Sequence, residues 1–297
     1  MPTGRFAPSP TGDLHLGNLR TALLAWLFAR SSGGRFLMRV EDLDPITSSR
    51  EHEARQLADL AALGLDWDGS VVRQSERRAR HEAALADLVA RGLTYPCFCS
   101  RREVQEASSA PHARPGTYPG TCRDLPDAAR REREERGRRA ALRLRSSGEL
   151  VTIVDRIHGA VVRPADDIVL RRNDGVPAYN VAVVVDDAEQ GVEEVVRGDD
   201  LLDVTPSQAH LMDLLALPRP IWAHVPLALG PDGARLAKRH GAVTLADLAA
   251  IGVDTAMVRS RLAESLGLAE AGEAVTMAQL LERFDPARLP TEPWVVT

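Results

Sequence analysis

The chain has 297 residues, 44% of them apolar and 27% charged, which is the composition of a globular protein with room for a catalytic domain and one or two smaller pieces. No apolar run approaches the roughly 20 residues needed to span a bilayer, so no membrane partner is expected. A net charge of −5 does not advertise a nucleic-acid binder, although an acidic protein can still carry a basic patch. The opening residues around Gly4, Arg5 and Phe6 lack a basic-then-apolar leader. Three cysteines, an odd number clustered within 97–122, argue against a disulfide framework, and a reducing cytoplasm is the simplest location. Of 37 basic residues only Lys238 is a lysine, so one flexible ammonium stands among arginines.

No internal repeat is visible. Residues 3–7 predict a short strand, followed by a Pro/Gly loop at 8–12 and a helix over 15–30 with Leu16, Leu19, Leu23 and Leu27 on one side. Phe36–Val40 predicts a buried strand ending at Glu41, Asp42 and Asp44, and helices follow at 49–64 and 76–91. That order points to an α/β fold with a parallel sheet of Rossmann type. Positions 93–125 break the pattern and hold all the cysteines. The mixed-charge stretch 130–145 predicts a solvated helix, and strand-like segments lie near 151–172. Residues 181–185, ending in Asp186 and Asp187, predict a second buried strand of the main sheet. From Pro206 onward the pattern is mostly helical apart from a loop at 230–238. The expected organisation is a nucleotide-binding first half at 1–92, an insertion at 93–165, the second half at 166–245 and a short helical tail at 246–297.

Three groups of residues could carry chemistry. In RFAPSPTGDLHLGN (5–18) a strand, a tight loop and a helix start bring backbone N–H groups and the helix dipole to one point, an anion site suited to ATP phosphates. His15 would donate to a phosphate oxygen and Gly17 would let the nucleotide approach; the competing reading is a plain βα turn whose histidine caps the helix. In the loop GARLAKR (233–239), Lys238 is suited to stabilising phosphoryl charge, against a plain surface basic cluster. Cys97, Cys99 and Cys122 read as ligands of a structural zinc, with His112 or Tyr118 open as the fourth, or else as free buried cysteines. Trp26 reads as core, Trp294 as pinning the tail, and His210 and His224 as packing or capping residues.

HLGN (15–18) resembles the HIGH motif of class I aminoacyl-tRNA synthetases, with Asn18 for the final histidine, and RLAKR (235–239) resembles a degenerate KMSKS motif that keeps its second lysine as Lys238. The opening 5–12, RVEDLD (39–44) and YNVAVVVDD (179–187) are similar to the glutamyl and glutaminyl branch, and the match runs from position 4 to about 240. The resemblance implies catalytic roles for His15, Gly17, Asn18 and Lys238, with ATP contacts at Pro8, His15, Gly17 and Lys238. It places glutamate against Arg5, Ala7, Ser9, Glu41, Tyr179 and Arg197. Charge supports that set: a substrate with two carboxylates and one ammonium wants arginines, here Arg5 and Arg197, and one acid, here Glu41 at a strand's carboxyl end, with Tyr179 orienting the same end. For Glu41 and Arg197 an internal salt bridge is the competing reading.

A chain that stops soon after the KMSKS-like loop, with three clustered cysteines, is similar to the glutamyl-Q tRNA(Asp) synthetase family in particular. That family's pattern implies Tyr118 as the fourth zinc ligand and tRNA-independent glutamate activation followed by transfer to the queuosine of tRNA(Asp); magnesium is expected with ATP, and the oligomeric state stays open with a monomer as the default. The alternatives are a truncated glutamyl-tRNA synthetase charging the acceptor end, or a non-catalytic tRNA-binding module.

Overall fold

The computed structural model describes residues 1–108, 117–236, 240–241 and 243–296. β1 (Gly4–Phe6) leads through the 7–15 loop into α1 (Leu16–Ser31), and β2 (Phe36–Val40) follows, every residue buried. α2 (Arg50–Leu63) starts where the Ser49 side chain accepts from the Glu51 N–H, and stops at Gly64, whose φ of 99° is left-handed backbone that glycine adopts without steric cost. Next come β3 (Val72–Arg73), a 3-10 turn at Gln74–Arg77 and α3 (Arg78–Ala90). The cysteine-bearing region holds β4 (Thr94–Cys97), α4 (Arg101–Ser108), α5 (Asp127–Glu135) and β5 (Ala141–Leu144). The hairpin β6 (Leu150–Asp155) and β7 (Gly159–Pro164), then β8 (Val169–Arg171), lead to α6 (Tyr179–Glu189) and β9 (Glu194–Gly198). The chain continues through α7 (Thr205–Leu214), β10 (Ile221–Val225) and β11 (Ala228–Leu229), and ends with α8 (Leu245–Ala250), α9 (Thr255–Glu264), α10 (Met277–Arg283) and β12 (Trp294–Val295).

The main sheet runs β3-β2-β1-β9-β10-β6-β7, parallel throughout except for β7, which turns back along β6. This is the expected α/β architecture. From β1 the chain builds outward to β2 and β3 on one side, while β9 and β10 lie on the other. The order therefore reverses beside β1, and the crevice at the strands' carboxyl ends is where open α/β sheets bind ligands. An antiparallel sheet, β4-β5-β8, carries Cys97 at the end of β4, with Cys99 two residues beyond it, and β11 pairs with β12. Among the described residues no helix is long and apolar enough to cross a membrane.

Three sequence expectations are corrected. Residues 181–185 are not a strand: they lie inside α6, where every residue from Val181 to Asp187 is buried. Contacts with α3, α7 and β8 cover the helix on several sides, so its apolar residues show no 3.6-residue spacing and its β-branched composition is overridden. The charged stretch 130–145 is helical only to Glu135, and its last part is β5, which packs Leu144 inward. The region after Pro206 is not mostly helix, since β10 sits inside the main sheet and β11 and β12 pair behind it. Five residues ending before Pro226 were too short to show a period of their own.

The helical tail shares the core of α1. Leu262, Leu266, Leu280 and Phe284 join Leu19, Leu23 and Leu27, and the Phe284 ring meets Phe28 edge-on at 5.2 Å. Arg20, buried in α1, donates to the Pro226 carbonyl at 2.8 Å and to Ser265 Oγ at 3.1 Å; burial pulls its guanidinium down to about 10, partly opposed by Asp199. Trp26 is core, as expected, with its indole N–H on Asp66 at 2.7 Å. Trp294 sits in β12 with Arg261 5.8 Å from its ring centre. Phe284→Ala is therefore expected to cost about 3–5 kcal/mol in chemical denaturation, with the tail and the sheet still unfolding in one transition. A loss well under 1 kcal/mol would show that the tail is an appendage.

Candidate active site and metal centre

The site is built on two buried acids at the end of α6. Asp187 accepts from Arg5 through both oxygens, at 3.2 Å each, and from Arg39 Nη1 at 2.6 Å. Arg39 lies inside β2 with no exposed surface, and its other donors reach Gln190 Oε1 at 2.9 Å and Glu41 Oε1 at 3.3 Å. Two guanidiniums and two carboxylates thus form a buried, formally neutral cluster. Burial works to raise the Asp187 carboxyl, but Arg39 and then Arg5 outweigh it and hold it below the usual range. At Glu41 the balance falls the other way: burial raises it and the two arginines do not fully compensate. Asp186 faces the opposite side and takes Arg77 at 2.6 Å, Gln74 at 2.9 Å and His81 at 3.0 Å.

A cavity of about 580 Å³ opens at the point where the strand order reverses. Arg5 and the loop residues Ala7, Pro8 and Ser9 form one wall, and Glu41, Tyr179 and Arg197 another. Its far end is the mouth of α1, with His15, Gly17 and Asn18. Here His15 does cap the helix: its Nδ1 accepts from the Asn18 N–H at 3.3 Å, while Asn18 Oδ1 accepts from the His15 N–H at 3.2 Å. The capping and phosphate-contact readings are compatible, because a neutral ring that accepts at Nδ1 carries its proton at Nε2 as a donor. Burial, with Arg235 nearby, lowers the His15 pKa and favours that neutral form. Gly17 is required by close approach, since a Cβ there would lie 3.0 Å from His15 Cε1 and 3.1 Å from Ala228 Cβ.

Arg197 and Glu41 part company with respect to the salt-bridge reading. Glu41 does pair with Arg39. Arg197, only 6% exposed, has no carboxylate partner among the described residues: it donates to His224 Nε2 at 3.1 Å, Tyr179 Oη at 3.2 Å, Thr205 Oγ1 at 2.6 Å and Gln208 Oε1 at 2.7 Å. Burial raises the Tyr179 phenol, which keeps its proton for donation.

A second cavity, about 1060 Å³, shares Ser9, Glu41 and Tyr179 with the first and reaches the cysteine-bearing sheet at Cys97, Cys99 and Arg143. Arg172 bridges to Asp44 across its rim at 2.8 Å. The two cavities therefore adjoin, with Ser9, Glu41 and Tyr179 lining both.

The sulfurs of Cys97, Cys99 and Cys122 lie within 4.8 Å of one another. The Tyr118 hydroxyl is 3.3 Å from Cys97 Sγ and 3.5 Å from Cys99 Sγ, and Cys99 Sγ is 3.5 Å from Cys122 Sγ. A tetrahedral ion with Zn–S near 2.3 Å has edges of roughly 3.5–3.8 Å, and these three separations lie close to that range. The surroundings suit an anionic cluster. Cys122 Sγ accepts from Arg133 Nη1 at 3.2 Å and from the Phe98 N–H at 3.5 Å, and the Arg143 guanidinium lies 3.8 Å from the Tyr118 ring centre. Burial pushes the Cys99 thiol up to about 12, whereas on Cys122 burial is outweighed by the Phe98 N–H and Tyr118 hydrogen bonds.

The structure thus gathers the ten expected residues of the first cavity, and it brings together the three cysteines and Tyr118 expected as metal ligands; Lys238 and the alternative ligand His112 lie outside the described residues. Sequence reading missed Asp187 and Arg39 as supports, and it missed the partners of His224, which sits between Asp155 and Arg197 rather than merely packing. A charge inside a five-residue strand, and an acidic pair closing an apolar run, were the available signals.

A family model described as tRNA synthetases class I (E and Q), catalytic domain, matches residues 3–297. The chain is 62% identical to a glutamyl-Q tRNA(Asp) synthetase of Nocardia farcinica, covering 99% of this chain and 93% of that one, and 50% identical to one of Symbiobacterium thermophilum, covering 99% and 95%. It is 40% identical to a glutamate–tRNA ligase of Azorhizobium caulinodans, over 96% of this chain and 61% of that one. A crystal structure of a glutamate tRNA ligase from Elizabethkingia meningosepticum in complex with its amino acid superposes with a TM-score of 0.82 at 26% identity, covering 99% of this chain and 67% of that one. The chain therefore belongs to the class I tRNA synthetases of the glutamate and glutamine branch, which are ligases, and within them to the glutamyl-Q tRNA(Asp) synthetase family.

At Gly17 an added methyl must displace the His15 ring or Ala228 by a few tenths of an ångström. Gly17→Ala is expected to cost about 1–3 kcal/mol in urea denaturation and to shift the His15 ring resonances. Unchanged stability with unchanged resonances would mean the helix mouth has slack.

Proposed function

We propose that this chain activates glutamate with ATP, without needing tRNA, and transfers the glutamyl group to the queuosine base at the wobble position of tRNA(Asp). Arg197 is the observation that carries the reading. A buried guanidinium whose hydrogen bonds all go to neutral groups is costly until an anion joins it, and this one lines a cavity that also holds Arg5 and Glu41. Two arginines and one acid complement glutamate's two carboxylates and one ammonium.

In this reading Arg5, Ala7, Ser9, Glu41, Tyr179 and Arg197 hold glutamate so that one α-carboxylate oxygen attacks the α-phosphate of ATP. The α-phosphorus forms the new P–O bond, its bond to the bridging oxygen breaks, and pyrophosphate leaves with that electron pair. Pro8, His15, Gly17 and Asn18 line the α1 mouth, where backbone N–H groups and the helix dipole favour the phosphates, and Lys238 stabilises the departing charge. Magnesium is expected to accompany ATP. In the second step a hydroxyl of the queuosine base attacks the glutamyl carbonyl, an ester forms and AMP leaves; the adjoining 1060 Å³ cavity gives that nucleoside room beside the adenylate. The relatives named for this modification support it. Catalysis is thus positioning plus electrostatics, in the cytoplasm, with 1–92 and 166–245 as the catalytic halves, 93–165 as the metal-bearing insertion and 246–297 as the tail. Cys97, Cys99, Tyr118 and Cys122 would hold one structural zinc, which when bound cross-links the insertion's loops.

Glutamate-dependent ATP–pyrophosphate exchange by the purified chain is expected without tRNA, and Lys238→Ala is expected to lower it about 10²–10³-fold with glutamate binding nearly intact. Exchange only with tRNA present would favour a glutamate–tRNA ligase charging the acceptor end, and no exchange in either condition a binding module. Chelation is expected to release one zinc per chain and lower the melting temperature by at least about 4 °C, the shift of roughly 1–2 kcal/mol in a chain this size. Zinc release with no change in melting would overturn the structural role.

A further inference from the structure

We propose that His224, backed by Asp155, is the positioning residue that aims Arg197 at the substrate carboxylate; the proposal rests on the reading of Arg197 as a glutamate contact. A guanidinium has five N–H donors in a fixed fork. Four of those on Arg197 are engaged: Nε–H by His224 Nε2, two on Nη2 by Thr205 Oγ1 and Gln208 Oε1, and one on Nη1 by Tyr179 Oη. One donor is left, on Nη1, the nitrogen that also touches Tyr179. Arg197 thus offers a single N–H rather than a bidentate edge, and the Tyr179 O–H supplies the second donor beside it.

Only a neutral imidazole with its proton on Nδ1 can accept from Arg197 Nε–H, and the neighbours impose that tautomer. His224 Nδ1 lies 2.7 Å from Asp155 Oδ2, which also accepts the His224 backbone N–H at 3.0 Å. Asp155 Oδ1 is held by the backbone N–H groups of Ile157 and His158, at 2.9 Å each, so the carboxylate is an acceptor fixed in place on every side. Both His224 and Asp155 have side chains with no exposure, on adjacent parallel strands β10 and β6. Burial favours the neutral ring, with Arg197 and His158 acting in the same direction and Asp155 opposing. A guanidinium clamped at Nε and Nη2 cannot rotate about its last bonds, so the remaining Nη1 donor has one direction.

Two substitutions separate aiming from packing. His224→Asn keeps a donor for Asp155 but does not reach Arg197, whereas His224→Gln places an amide oxygen near the position of Nε2. His224→Asn is expected to raise the glutamate KM in pyrophosphate exchange about 10- to 100-fold, leaving the ATP KM unmoved, and His224→Gln to stay close to the parent. If the Asn variant does not fold, Gln208→Met removes an Nη2 acceptor from the other side and is read the same way. Equal losses in the Asn and Gln variants, no change in the glutamate KM, or a rise shared by the ATP KM would overturn the relay. Arg197→Gln tells the two ideas apart. If it leaves the glutamate KM unchanged, the glutamate-contact reading itself falls; if it raises the KM while His224→Asn does not, only the relay falls.

Discussion

Two arginines from neighbouring strands share one buried carboxylate, and the rest of the site depends on that pairing. Asp187 can hold Arg5 and Arg39 together because the buried acidic end of α6 meets the side chains that β1 and β2 direct toward it. A buried ion pair is weak support for stability in itself, since desolvation offsets most of the attraction, but breaking one side leaves an uncompensated charge. The cluster therefore acts as a geometric restraint. It fixes where α6 sits and which donors of Arg5 remain free, and it sets Glu41 at the cavity wall through Arg39. Asp186, one residue back, ties the same helix end to α3 and to the turn before it.

From that restraint the path through the molecule follows. Tyr179 opens α6 and Asp187 lies near its end, so one short helix contributes both the wall shared by the two cavities and the charge that anchors Arg5. The cysteine-bearing sheet comes between β3 and β9 in sequence, yet its Cys97 and Cys99 line the far side of the second cavity. In the proposed reading this lets the metal centre act at a distance from the chemistry, by holding the shape of the acceptor's space rather than touching a reacting atom.

How far the sequence could be read divides along physical lines. Features fixed by local rules were legible: the Pro/Gly loop, the helix after His15, the strand before Glu41 and the thiol cluster within 97–122. The motif positions 5–18, 41, 179 and 197 were tied to one site by the family resemblance, and the fold gathers them because the carboxyl ends of β1, β2 and β9 share one edge beside the start of α6. What was lost depended on burial. The valines of α6 are covered on several sides, which erases the periodicity that would separate helix from strand, and β10 is too short to show one. The supporting charges were hidden for another reason: Arg5 and Asp187 stand 182 positions apart, and Arg39 and Asp187 148, so nothing local announces the pairing.

The two arginines of the first cavity are equipped differently, and the difference has a chemical meaning. Arg5 meets a carboxylate with two of its nitrogens, so its charge is neutralised before any ligand arrives and its spare donors act mainly through shape. Arg197 is surrounded by a phenol, a hydroxyl, an amide and an imidazole, so its charge is oriented but not neutralised. The carboxylate of Asp155 stands behind it, one imidazole away. A ligand amide would satisfy hydrogen bonds at Arg5 almost as well as a carboxylate. At Arg197 it would leave the charge unbalanced in a buried place, a penalty of several kcal/mol that only an anion removes. In the proposed reading, discrimination between an acid and its amide is therefore concentrated at the arginine with neutral partners.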